Sequence, residues 1–125
     1  LRVVDIARKG TAHTDARIVV ATEDERITDF CKTHGIECLM TSDACKTGSD
    51  RVCEAVKILD IKPELIINLQ GDNPVCRPWF IEEMIKAFEE DPTVDLVTPC
   101  TELSWEALDK LRESNHQTWE DGADE

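Results

Sequence analysis

The sequence contains no apolar run near the roughly 18 residues that a membrane-spanning helix requires, and its first residues carry no feature of a secretory leader. No membrane association is expected, and the cytoplasm is the expected location. Basic residues are scarce. The 14 Lys and Arg face 27 Asp and Glu, for a formal net charge of -13. That field repels nucleic acid and anionic membrane surfaces, so neither is expected as a partner, and a phosphorylated ligand would need a divalent cation or a local basic cluster. The C-x-x-C spacing is also absent, although cysteines stand at 31, 38, 45, 53, 76 and 100. A disulfide scaffold and a zinc site are therefore disfavoured, and reduced thiols are expected, with Cys31 and Cys53 on apolar helix faces. Internal repeats, a linker and a second domain are lacking too. At 125 residues, with 41% hydrophobic and 33% charged residues, the chain suits one soluble globular domain.

What is present is organised around Leu65-Ile66-Ile67-Asn68-Leu69-Gln70-Gly71-Asp72-Asn73-Pro74. Its near-continuous apolar start predicts a parallel strand covered on both faces, ending in a tight turn that carries a carboxylate. Further strands are expected at Ile18–Ala21, Ile36–Thr41 and Asp95–Thr98. Between them fall helices at Leu1–Lys9, after the Thr22–Glu25 capping box, at about Asp50–Leu59, at Pro78–Glu90 and at Trp105–Arg112. The second of these should bury Ile27, Phe30 and Cys31, and His34 in its last turn should meet the terminal carbonyls. The third should bury Val52, Ala55, Val56 and Leu59, behind a Thr47/Asp50 capping box. The first has no residue before Leu1 to cap it, which suggests that the natural chain starts earlier. Alternation of strands and helices predicts an α/β fold with a parallel sheet over residues 1–113, followed by a frayed acidic tail at 114–125.

In such a sheet every strand delivers its C-terminal end to one edge, so the loops from Thr22, Thr41 and Gln70 should meet there. The second loop presents Thr47, Gly48 and Ser49 before Arg51. Glycine admits a ligand to the backbone, the helix start offers free amides to an anion, and Arg51 adds a planar fork for carboxylate or phosphate. Gln70 can donate and accept, and Asp72 offers a hard oxygen to Mg²⁺. The plainer alternatives stand beside these: Thr47 and Ser49 as helix caps, Arg51 as a solvated charge, and Asp72 as a turn initiator.

Three segments taken together resemble a known family. Ile18 to Ile27, then Met40-Thr41-Ser42 with Thr47-Gly48-Ser49-Asp50-Arg51, then Ile67 to Pro74 are similar, in order and spacing, to signatures of 3-deoxy-manno-octulosonate cytidylyltransferase, or CMP-Kdo synthetase. The likeness runs from Leu1 to about Thr118. It implies a three-layer, mostly parallel sheet of the Rossmann-like nucleotide-diphospho-sugar transferase type, in truncated form. It further implies transfer of CMP from CTP to an acidic, Kdo-like sugar in lipopolysaccharide synthesis, with Mg²⁺ as cofactor and a homodimeric assembly. By the same resemblance Asp72 is the metal ligand and, with Arg51, catalytic. Thr47, Gly48, Ser49, Arg51 and Gln70 bind substrate.

Three departures accompany the likeness. Ser49 replaces the family's usual Thr, Asn73 replaces a Glu, and the family's N-terminal nucleotide-binding loop and C-terminal half have no counterpart here. Weak or no turnover is then expected from this chain alone. The family's first strand would lie between those at Ile18 and Leu65, so the resemblance predicts either direct pairing of those two, a strand from another chain, or residues left out of this one. A noncatalytic α/β dimerisation or binding module of the same descent is the alternative. A flavodoxin-like or response-regulator domain fits the alternation but not the three motifs.

Overall fold

Two short parallel strands hold the frame. The computed structural model describes residues 1–91 and 93–121, with side chains as far as residue 114. In chain order the elements are α1 (Arg2–Gly10), β1 (Val20–Thr22), α2 (Glu25–Thr33), β2 (Cys38–Met40), α3 (Gly48–Leu59), α4 (Pro78–Glu90) and α5 (Trp105–Asp121). β1 pairs with β2 in the register Val20 to Cys38, Ala21 to Leu39 and Thr22 to Met40. The ladder continues at both ends, through Val20 N–H to Glu37 O and Thr41 N–H to Thr22 O, each 2.9 Å.

Local chemistry explains most helix ends. Asp24 caps α2 by accepting from Arg26 N–H at 2.8 Å. Thr22 Oγ1, expected as the cap, instead accepts from Asp24 N–H at 3.1 Å and orients the capping residue. His34 Nδ1 lies 2.8 Å from Phe30 O, as its place in the last turn predicts, and Gly35 follows at φ 61, where a side chain would strain the backbone. Pro78 occupies the first turn of α4, where its missing N–H costs nothing. α1 has no side-chain cap, as expected.

The core has two centres joined by α1. Val4, Cys31 and Ile36 pack with Ile18, Val20 and Cys38, which ties α1 and α2 to the sheet. At its other end α1 meets α4, where Gly10 lies so close that a Cβ there would fall 2.7 Å from both Ile81 Cβ and Pro78 O. Ile81 is the most completely buried large side chain, at 1% exposure. The whole chain nevertheless exposes 10149 Å², against roughly 6,700 Å² expected for a folded monomer of its 14.1 kDa mass. Much apolar surface is therefore uncovered, including Leu96 and Trp105, each 78% exposed.

Several expectations need correction. Leu65–Leu69 forms no ladder, and no backbone hydrogen bond reaches it among the described residues. Its burial alternates: Leu65, Ile67 and Leu69 are half-buried while Ile66 and Asn68 are exposed, so one face is covered and not two. Direct pairing with β1 does not occur. Asp95–Thr98 is likewise no strand, and the sheet among the described residues has two strands where four were expected. A sheet this narrow covers only Cys31 of the α2 stripe, leaving Ile27 and Phe30 each 44% exposed. Of the α3 stripe, Ala55 is buried and Val52, Val56 and Leu59 are half-buried, while Cys53 is exposed and not on the packed face. All six cysteines are free, as expected. α5 continues past Arg112 to Asp121, because no Gly or Pro interrupts it before Gly122. Residues 122–125 of the expected tail lie outside the described residues.

Candidate functional site

The parallel pairing sends the ends of β1 and β2 to one edge, and α3 begins beside it. Thr41, just past β2, is buried, and its Oγ1 accepts a 2.7 Å hydrogen bond from Arg51 Nη1. The same nitrogen lies 2.5 Å from Glu23 Oε2, just past β1. Arg51 is 19% exposed and Glu23 48%, so the guanidinium is held from within and reaches solvent along one margin. Arg51 is thus an anchored group, which the solvated-charge reading does not describe.

The start of α3 is rigid for local reasons. Asp50 N–H donates to Thr47 Oγ1 at 3.1 Å, and Asp50 Oδ2 accepts from Thr47 N–H at 3.0 Å, completing the expected capping box. The Thr47 hydroxyl is therefore occupied as a cap. Gly48 follows, and here the absence of a side chain matters: a Cβ would meet Gln70 Nε2 and Oε1 at 2.5 Å. One residue on, Ser49 Oγ accepts from Asn68 Nδ2 at 3.5 Å, and Gln70 Nε2 donates to Asn68 Oδ1. Contacts to α3 thus hold the unpaired stretch 65–70 in place without a ladder.

Thr47, Gly48, Ser49, Arg51 and Gln70 are accordingly brought together. Asp72 is two residues beyond Gln70, within roughly 7 Å of chain. Asn73 N–H donates to Gln70 O at 3.2 Å, so Gly71 and Asp72 form the centre of a four-residue turn. Asp72 does not initiate that turn. Its carboxylate is exposed and makes no hydrogen bond or ion pair among the described residues. Farther on, Arg2 Nε donates to Pro74 O at 2.6 Å and pins the outgoing loop to α1.

Among the described residues no three His, Cys, Asp or Glu side chains converge to cage a metal ion. A lone unpartnered carboxylate does fit Mg²⁺ that is otherwise held by phosphate oxygens and water, the ordinary condition of that ion in phosphoryl chemistry. Asp72 is the residue that would hold it.

Beside the anchored arginine, the outer face of α3 and the Ser42–Cys45 loop enclose an open groove of about 330 Å³. Glu54 spans it, accepting from Ser42 N–H at 2.9 Å and from Cys45 Sγ at 2.8 Å. These bonds hold the Glu54 carboxyl below its ordinary pKa, the Cys45 bond first and the Ser42 amide second. The bond to Glu54 and then desolvation push the Cys45 thiol up.

Glu23, Thr41 and Asn68 are the residues that sequence reasoning missed. Glu23 and Thr41 each follow a strand, at the edge where open α/β sheets generally bind ligands, and that position was the available signal. Nothing in the spacing marks Asn68 as a bridge to Ser49.

Comparison with known proteins identifies the family. The sequence matches the family described as Cytidylyltransferase over residues 2–120. It is 41% identical over 86 residues to a maize (Zea mays) protein named 3-deoxy-manno-octulosonate cytidylyltransferase, covering 69% of this chain and 29% of that one. An Arabidopsis thaliana protein of the same name, designated mitochondrial, is 38% identical over 96 residues, 77% of this chain and 33% of its own. The Maricaulis maris protein of that name is also 38% identical over 96 residues, covering 77% and 37%. The chain thus spans about a third of the length of these relatives. No helix among the described residues is long and apolar enough to cross a membrane.

Proposed function

Since the chain belongs to the cytidylyltransferase family, we propose that the edge formed by Glu23, Thr41, the start of α3 and Gln70 to Asp72 binds a cytidine nucleotide and an acidic sugar for CMP transfer. The carrying observation is the junction of two motifs distant in sequence: the Gln70 amide rests on Gly48, one turn from an Arg51 fixed by Thr41 and Glu23. Names of the matched relatives support the nucleotide and sugar class.

In that reaction a hydroxyl oxygen of the sugar acid attacks the α-phosphorus of CTP. The bond from that phosphorus to the bridging oxygen breaks, pyrophosphate leaves with the electron pair, and the hydroxyl proton passes to solvent. Charge accumulates on phosphate oxygens, so groups already oriented toward them lower the barrier more than mobile ones. Arg51 supplies a desolvated, pre-oriented cation. Gln70 supplies an amide that can both donate and accept, and Gly48 leaves room for it. Mg²⁺, when bound at Asp72, would neutralise phosphate charge. The homodimer implied by resemblance would cover part of the exposed apolar surface.

Calorimetry with CTP and Mg²⁺ tests this reading. Saturable heat that disappears in Asp72→Ala is the expected result. No heat from the native chain would favour a noncatalytic binding module, the second reading, for which the specific observation is the apolar stretch Leu65–Leu69 left without backbone partners.

A further inference from the structure

The two oxygens that hold Arg51 both act on one of its three nitrogens. Nη1 donates to Thr41 Oγ1 at 2.7 Å and lies 2.5 Å from Glu23 Oε2. Nε and Nη2 donate no hydrogen bond among the described residues. A guanidinium has one edge on which an Nε–H and an Nη2–H run parallel, and that edge matches the two oxygens of a carboxylate or phosphate. Holding Nη1 from inside leaves this edge free and fixes the direction in which it points.

We infer that Glu23 is a positioning residue: with Thr41 it restrains Arg51 Nη1, so that the Nε and Nη2 edge forms a preset two-point site for a ligand oxyanion. The inference rests on the reading of this edge as a ligand site and adds a role for an acidic residue within it. An acid beside an anion site would ordinarily weaken binding by like-charge repulsion. Here the orientation it imposes outweighs that cost, because a free arginine side chain loses rotamer freedom each time it binds. Thr41 can serve as the fixed point because it is buried and its amide belongs to the strand ladder.

The test follows the Arg51 Nε–H resonance in the full 125-residue chain during separate titrations with acetate and inorganic phosphate, the signal being assigned by its loss in Arg51→Lys. The expected result is a saturable shift with at least one of the two, which also tells a carboxylate partner from a phosphate partner. Glu23→Gln keeps an oxygen and removes the charge, and it should bind that anion at least as tightly as the native chain. Glu23→Ala removes both and should bind about tenfold more weakly. If both variants bind more tightly, Glu23 is only a counter-charge and the inference fails. A native chain without a saturable shift also overturns it. Neither result depends on CTP, so loss of the positioning role and loss of the cytidylyltransferase reading remain separable. Unchanged thermal melting of both variants would confirm that the half-exposed Glu23 can be replaced without unfolding.

Discussion

The side-chain amide of Gln70 lies over Gly48 so closely that any Cβ at that position would stand 2.5 Å from Nε2 and Oε1. The colliding atoms are the far end of a flexible side chain, so Gly48→Ala should displace Gln70 and leave the fold intact. Alanine is also the better helix former, by about 1 kcal/mol in a helix interior and less at a first position. We expect urea midpoints within experimental scatter of the native chain, and an affinity for CTP with Mg²⁺ lower by about tenfold or more. Unchanged binding would show that Gln70 makes no contact with the nucleotide.

Gly10 is the opposite case, because a Cβ there meets Pro78 O, a backbone atom, and Ile81 Cβ, each at 2.7 Å. Neither can rotate away. Gly10→Ala should separate α1 from α4 and cost about 1–3 kcal/mol of overpacking, less the helix-propensity gain. Urea unfolding measures it, with the exposed Lys9→Ala as a neutral control. A stability equal to that of the control would mean that the helix contact is loose.

The helices were legible in the sequence because their causes are local. Thr47 and Asp50 cap α3 across three residues, Pro78 starts α4, and Gly35 ends α2. Strands depend on partners remote in sequence: those expected at Ile18–Ala21 and Ile36–Thr41 form, shortened, as β1 and β2, while those expected at Leu65 and Asp95 do not. The apolar run Leu65–Leu69 looked like a central strand, yet burial follows from what covers a residue, and Ile66 is half exposed. Ile27 and Phe30 have the right spacing for a packed stripe, but a two-stranded sheet is too narrow to cover them. The site was legible in its positions and not in its connections. Sequence order brings Thr22, Thr41 and Gln70 to one edge, but only the folded chain brings an acid, Glu23, against Arg51.

Acid should loosen α2 at its N-terminus. Hydrogen bonds from the Arg26 side chain, and then from its backbone N–H, lower the Asp24 pKa from 3.8 to about 2. A carboxyl whose folded pKa lies below its unfolded one contributes stability above the unfolded value and loses it as pH falls through the folded one. The contribution is therefore complete above about pH 4 and fades toward pH 2. Asparagine also caps helices, so Asp24→Asn isolates the charge. Its melting temperature should be lower than native near neutrality and should converge on native by pH 2. Because Arg26 is 90% exposed, the part of the difference owed to its guanidinium should shrink with added salt. A parallel offset at every pH would contradict this assignment.

Cys45 offers a chemical readout of the arginine next to it. Its thiol pKa is raised, first by the hydrogen bond to Glu54, then by desolvation and the Glu54 charge, while Arg51 pulls in the opposite direction. The thiolate is the reactive form, so Cys45 should be alkylated more slowly by iodoacetamide at pH 8 than the same thiol freed from Glu54. Glu54→Gln removes the negative charge and should move the rate–pH curve to lower pH. Arg51→Met removes the opposing positive charge and should move it to higher pH. An oxyanion that binds Arg51 neutralises the same charge, so saturating phosphate or acetate should slow Cys45 in the native chain and leave the Arg51→Met chain unaffected. Peptide mapping separates Cys45 from the exposed Cys53 and Cys100, which should respond to neither substitution through Arg51. Opposite shifts in the two variants, with the ligand reproducing only the second, would tie the groove electrostatically to the ligand edge. An unshifted curve in Arg51→Met would mean that Arg51 is too well neutralised by Glu23 to be felt at Cys45.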